Sequence, residues 1–339
     1  MGEFELIKRF FDRPSKTGSP GLPAAPGVVL GIGDDCALLQ PRAGMQLAIS
    51  SDMLVSGRHF FPDVDPRTLG HKALAVNLSD LAACGAKPLG FTLALALPEA
   101  DAVWLQAFSE GLFALADVHH CPLVGGDTTR GPLNICITVF GEVPPGHALL
   151  RSGARVGDDV YVSGTLGDAA LALQALQGKL QLSDAVLRQA RQRLEQPTPR
   201  IALGLALRGI ASACADVSDG LLGDLGHILE RSGLNRSGVG ATIDTYVAMN
   251  LLAACANSTG ASDLFDSQNL QCVLAGGDDY ELVFTAAPDQ RAAVQAASTI
   301  SCTAVTRIGQ IEALPGLRLV DGAGTPVAAD FASFDHFSP

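Results

Sequence analysis

Short apolar runs alternate along this chain with turns rich in Gly, Ser and Asp, and the length of each run sets the element it predicts. The opening GEFELIKRFF interleaves charged and apolar positions as a short helix does. Pro14, Pro20, Pro23 and Pro26 among Gly and Ser then rule out a regular element over 14–27. Short β-rich runs at 28–30 and 46–50 precede a helical stretch over 68–85, which Lys87-Pro88 is expected to end. A strand over 90–97, a helix over 101–118 and strands over 122–125 and 133–143 give the first half the order β, β, α, β, α, β, β. The second half opens with a strand over 159–163 and a helix from Asp168. Helices over 183–195 and 200–212 follow, then a strand at 215–218 and a helix through Arg231. Strand-like runs at 239–243, 281–285 and 303–311, with a helix near 289–299, close it. The predicted fold class is α+β in two domains, a mixed-sheet domain over 1–147 and a second α+β domain over 148–339. Gly125-Gly126-Asp127 and Gly276-Gly277-Asp278-Asp279 echo each other, too briefly to establish a repeat.

Composition narrows the class. With 47% hydrophobic and 17% charged residues over 339 positions, the chain can bury a core and is neither disordered nor a coiled coil. The formal charge of −12 excludes bare nucleic acid and anionic membrane as partners. Eight cysteines without a CxxC pair read as reduced, buried thiols of a cytoplasmic protein, and neither a signal-peptide core nor a membrane-length apolar run is seen. The acids are skewed: 26 Asp stand against 9 Glu.

Those aspartates recur in one local context, a Gly or Ser turn expected at the end of an apolar strand. The segments are Gly31-Ile32-Gly33-Asp34-Asp35, Ser50-Ser51-Asp52, Gly125-Gly126-Asp127, Asp216-Val217-Ser218-Asp219-Gly220 and Gly276-Gly277-Asp278-Asp279. Any one could be a capping or turn aspartate. Asp80 sits in an apolar helix with Asn77 on the same face, so a buried hydrogen bond and a metal role are both open to it. If several carboxylates converge, cations must neutralise them, and a donor set of carboxylate and hydroxyl oxygens suits Mg²⁺. Mg²⁺ commonly shares its sphere with phosphates, which lets an acidic protein bind anions and points to phosphoryl transfer. No P-loop, protein-kinase signature or nucleophile elbow is present. Arg151 and Arg130 are candidate phosphate contacts, and His59 and His71 candidate acids, bases or substrate contacts.

Taken together, GIGDDCALL (31–39), SSDMLVSGRHF (50–60), KALAVNLSDLAACGA (72–86), GGDTTRGPL (125–133), LLRSGARVGDDVYVSG (149–164), DVSDGLLGDLGHI (216–228), AGGDDYELVFT (275–285) and FDHF (334–337) resemble the thiamine-monophosphate kinase family. That family belongs to an ATP-binding superfamily with aminoimidazole ribonucleotide synthetase. The resemblance implies that superfamily's two-domain fold, an N-terminal domain pairing with its twin in a homodimer and a C-terminal domain closing over the cleft. It implies ATP and several Mg²⁺ ions, with or without a monovalent cation, and thiamine monophosphate as the small-molecule acceptor. By position, Asp35, Ser50, Ser51, Asp52, Asp80, Asp127, Asp216 and Asp219 would form the metal shell, with Asp52, Asp127 and Asp219 carrying the catalysis. Gly126, Asp127, Arg151 and Ser218 would contact ATP, and His59, Asp278 and Phe331 the acceptor. Ser51 stands where relatives often carry Thr, Asp278 where they often carry Glu, and Phe331 where some carry Trp. Aminoimidazole ribonucleotide synthesis is the rival enzymatic reading, and a nucleotide-binding module without turnover the rival from another class. Selenophosphate synthesis and hydrogenase maturation are set aside, since the cysteines they need are not where those reactions require them.

Overall fold

The structure is a computed structural model that describes residues 2–13, 27–233, 238–253, 267–328 and 331. Nearly all of the Pro/Gly-rich stretch, Cys255 and the terminal FDHF lie outside the described residues. The chain divides into two compact units, Met1–Leu81 with Ala86–His147, and Ala82–Gly85 with Ala148–Pro339.

The first unit starts with α1 (Glu3–Leu6), continued as a π-helical turn over Ile7–Phe11. A two-stranded ribbon of β1 (Val28–Leu30) and β2 (Leu38–Leu39) follows. Then come β3 (Gln46–Val55), α2 (Pro66–Ala83), β4 (Lys87–Leu97), α3 (Ala102–Val118), β5 (Leu123–Arg130) and β6 (Asn134–Val143). The four long strands form one sheet in the order β3-β6-β4-β5, antiparallel except for β4 beside β5. Asp101 caps α3, its carboxylate accepting from the Val103 and Trp104 N–H groups. The two helices cross on glycines: a Cβ on Gly70 would lie 2.1 Å from the Phe108 carbonyl oxygen, and one on Gly111 1.8 Å from that of Arg67. Only a residue without a side chain permits that approach. The end of α2 departs from expectation. Gly85, at φ +64°, stops the helix as Ala86 N–H turns back to Leu81 O at 2.7 Å. Lys87-Pro88 instead opens β4, and the pairing slips between Pro88 and Gly90, where a proline cannot donate.

The second unit contains β7 (Asp159–Ser163), α4 (Asp168–Leu176), α5 (Asp184–Glu195), α6 (Ile201–Ala206), β8 (Ala213–Val217) and α7 (Leu221–Gly233). It continues through β9 (Gly240–Asp244), α8 (Thr245–Met249), α9 (Ser267–Ala275), β10 (Glu281–Ala286), α10 (Arg291–Ser301), β11 (Val305–Glu312) and β12 (Gly316–Val320). The sheet runs β12-β9-β11-β7-β10-β8, antiparallel except for β12 beside β9. Every residue of β7, β8 and β10 is buried. Two charged members of these strands are accordingly paired: Asp159 accepts from the half-exposed Arg291 at 2.6 Å and Arg307 at 3.1 Å, and Glu281 from Arg193 at 2.7 Å and Ser163 at 2.6 Å. Periodicity reveals neither β2, α8, α9 nor β12, and α6 is shorter than the run over 200–212. Among the described residues no helix is long and apolar enough to cross a membrane.

Candidate functional site

Two of the five acidic segments lie within strands and not in turns at their ends. Ser50, Ser51 and Asp52 are in the middle of β3, and Gly125, Gly126 and Asp127 in β5. Pairing with β6 and β4 carries these edge strands beyond their apolar runs, so the backbone stays extended through the polar residues. The strand pleat then sorts the side chains. Ser50 and Asp52 share the face that α2 covers, and Ser51 points to the other. Ser50 Oγ donates to Asp80 Oδ2. The Asp52 N–H donates to Asn77 Oδ1 at 3.1 Å, and the Asn77 amide donates back to Ala73 O at 3.0 Å. Of the two roles open to Asp80, a hydrogen bond is present, but to Ser50; Asn77 holds the backbone of β3 instead. The face that Asn77 shares with Asp80 is thus the one α2 turns toward β3. Ser51 Oγ lies 2.9 Å from Thr138 Oγ1 on β6.

Across the sheet Asp52 is in register with Ile137, Leu93 and Gly126, so Asp127 stands one step further along on the opposite edge strand. Three strand spacings separate those edges, about 14 Å in a flat sheet. Gly126 has φ +147°, and a Cβ there would lie 1.9 Å from Leu93 O. Asp35 is exposed, its N–H turned onto the Asp34 carboxylate at 2.9 Å. His59 is half-buried beyond the end of β3, where its Nδ1 accepts from the Val55 N–H at 3.0 Å and leaves Nε2 to carry the proton.

In the second unit Asp216 is a buried residue of β8, and Ser218 and Asp219 form the turn that follows. Asp224, in the first turn of α7, accepts from the Ser218 and Asp219 N–H groups at 3.1 Å each and fixes that turn. Burial pushes the Asp224 carboxyl up to about 6, with the Asp219 charge adding to the rise, against the two backbone hydrogen bonds and the Arg151 guanidinium. The Arg151 charge thus acts on the same turn that carries Ser218 and Asp219. Asp224 was missed at the sequence level, although an acid in the first turn of a helix that follows Ser-Asp-Gly is a helix-start signal. Asp278 lies on the loop before β10, half-buried, accepting from Tyr280 Oη at 3.2 Å. Phe331 packs, half-buried, against the apolar core of its own unit.

Among the described residues no three His, Cys, Asp or Glu side chains stand close enough to share an ion. The structure brings together Ser50 with Asp80, and Ser218 with Asp219 and Asp224, while Asp35 and Asp127 stand apart on exposed positions. Such a donor set still fits Mg²⁺. It consists of hard oxygens, and Mg²⁺ takes one or two carboxylates and fills its sphere with water and phosphate.

Residues 33–143 match the family model for the N-terminal domain of AIR synthase related proteins, and residues 155–322 that for the C-terminal domain. The thiamine-monophosphate kinase of Salmonella typhimurium is 48% identical, over 99% of this chain and 98% of its own. The crystal structure of the thiamine-monophosphate kinase from Stenotrophomonas maltophilia K279a superposes with a TM-score of 0.78 at 48% identity, over 89% of this chain and 92% of that one. AaThiL complexed with AMPPCP and TMP gives 0.72 at 28% identity, over 88% and 89%. These likenesses run through both units, and on them the chain belongs to the thiamine-monophosphate kinase family.

Proposed function

We propose that this chain transfers the γ-phosphoryl group of ATP to thiamine monophosphate, giving thiamine diphosphate and ADP. The observation that carries the reading is 48% identity to a thiamine-monophosphate kinase over 99% of the chain. An oxygen of the acceptor phosphate attacks the γ-phosphorus, that P–O bond forms, and the bond to the β-phosphate oxygen breaks with ADP leaving. The second pKa of a phosphate monoester is about 6, so the acceptor is largely ionised at neutral pH and the chain needs no general base. What the protein supplies is position and charge compensation.

Asp35, Ser50, Ser51, Asp52, Asp80, Asp127, Asp216 and Asp219 are assigned to several Mg²⁺ ions, which when bound neutralise the phosphates. Arg151, Ser218 and the bare backbone at Gly126 are assigned to ATP: a peptide edge without a side chain permits close approach, and Arg151 offers a bidentate phosphate contact. His59 Nε2–H and Asp278 are assigned to the acceptor. Phe331, which packs against the apolar core of its unit, is assigned to the acceptor with them. The reading includes a homodimer in the cytoplasm. What supports the dimer is the uncovered face of the four-stranded sheet, where Leu47, Ile49 and Met53 of β3 are 46%, 60% and 53% exposed.

Incubation with Mg-ATP and thiamine monophosphate, beside a control without the acceptor, tests the reaction. Equal amounts of thiamine diphosphate and ADP are expected. ADP that does not depend on the acceptor would overturn it.

A further inference from the structure

The loop Gly276-Gly277-Asp278-Asp279-Tyr280 holds two residues other than glycine in the left-handed region, Asp278 at φ +69° and Tyr280 at φ +52°. For a tyrosine this is a rare conformation, and such strain persists only where the surroundings over-determine it. Three hydrogen bonds do so. The Asp278 N–H donates to Ser218 O at 2.9 Å and the Tyr280 N–H to Val217 O at 2.8 Å, tying both strained residues to the end of β8. Between them Asp279 is fully buried, and its Oδ2 accepts from the Gly167 N–H at 2.8 Å, tying the loop to the start of α4. Gly167 is itself left-handed at φ +87°, and a Cβ there would lie 2.9 Å from Val273 N, so its N–H has a fixed direction.

The chemistry of Asp279 is unlike that of an ordinary surface aspartate. Its second oxygen, Oδ1, is buried without a hydrogen-bond partner among the described residues, and so is Nε of Arg193 nearby. Desolvation drives the carboxyl well above the usual carboxylate range. A side chain kept there at such a cost returns something, and what it holds is the alternation of the loop. With Asp279 turned inward, Asp278 and Tyr280 on either side are half-buried, and the Tyr280 hydroxyl meets Asp278 Oδ1.

We propose that Asp279 is a positioning residue for the acceptor: its bond to the Gly167 N–H locks the strained loop and thereby aims Asp278 at thiamine monophosphate. The inference rests on the assignment of Asp278 to the acceptor made above. It predicts a selective defect. Asp279→Ala raises KM for thiamine monophosphate about tenfold, the loss of one aimed polar contact, and leaves KM for ATP and kcat within about twofold. Asp279→Asn keeps a carbonyl to accept from Gly167 and restores a KM within about twofold of wild type, a rescue a lost charge would not give. Tyr280→Phe removes the hydroxyl that holds Asp278 and raises the same KM about threefold, and serves as the readout if the alanine variant does not fold.

Steady-state kinetics on the full chain with each substrate varied separately decide it. An unchanged acceptor KM in the folded Asp279→Ala, or in Tyr280→Phe should that variant not fold, overturns the proposal. So does a parallel rise in both KM values, or an Asp279→Asn that fails like the alanine. A wild type that makes no thiamine diphosphate defeats the functional reading itself, whereas an active wild type with indifferent variants defeats only the role of Asp279.

Discussion

Asn77 is 1% exposed and has each end of its amide committed, one to its own helix and one to the backbone at Asp52. Asn77→Ala takes the acceptor from the half-buried Asp52 N–H on β3 and costs about 1 kcal/mol, which urea denaturation will read. Unchanged stability would mean that water takes its place. Asp52→Asn and Asp127→Asn remove charge and keep volume, so turnover falls by at least about 100-fold while circular dichroism and melting stay as in wild type. Near-native kinetics in either variant would remove it from the catalytic set. The Gly or Ser neighbours of each aspartate are what single it out in the sequence. Which partner it takes could not be read there, since hydrogen bonds to Asn77, Asp80 and Asp224 join residues on different elements.

Helix α2 has no polar face: Ala73, Leu74, Ala75, Val76, Leu78, Leu81 and Ala82 are all buried, as are Lys72, Asn77 and Ser79. Its place against α3 is set by glycine. Gly70→Ala or Gly111→Ala drives a methyl into a backbone carbonyl, and a loss of about 1–3 kcal/mol is expected. A melting temperature equal to wild type would show that the crossing can relax. Strand β7 carries a different device. Arg291 and Arg307 hold Asp159 below the usual carboxylate range, the hydrogen bond from Arg291 contributing most. A depressed folded pKa gives stability that is present above the unfolded value near 3.8 and is lost as pH falls through the folded one. Asp159→Asn should therefore destabilise by about 1 kcal/mol at pH 7, an effect limited by the solvent exposure of both arginines, and by much less near pH 3. Equal destabilisation at the two pH values would assign the effect to packing. At this scale the sequence reveals long elements well and their ends poorly. Lys87-Pro88 reads as a stop, yet Gly85 had already ended α2. Helix α8 has five residues and β12 gains its place by pairing with β9, so neither leaves a periodic signal.

For the whole molecule, the open face of the four-stranded sheet is the feature the proposed dimer uses. Ile49→Lys puts a charge on the edge strand of that face, between the exposed Leu47 and Met53, and light scattering should show a dimeric wild type and a monomeric variant. A monomeric wild type at micromolar concentration would remove the dimer from the reading. The amino-acid sequence by itself determined the α+β class and, through the order of its motifs, the family. These depend on residue type and spacing, which need no coordinates. Tertiary structure alone decided that Ser50 meets Asp80, that Asn77 serves Asp52, that Asp224 fixes the Ser218-Asp219 turn and that Phe331 packs on the core. It also revealed Asp279 beneath the strained loop. Each of these joins positions distant along the chain or buried within it, and strand register, helix crossing and desolvation are properties that arise only when the elements pack.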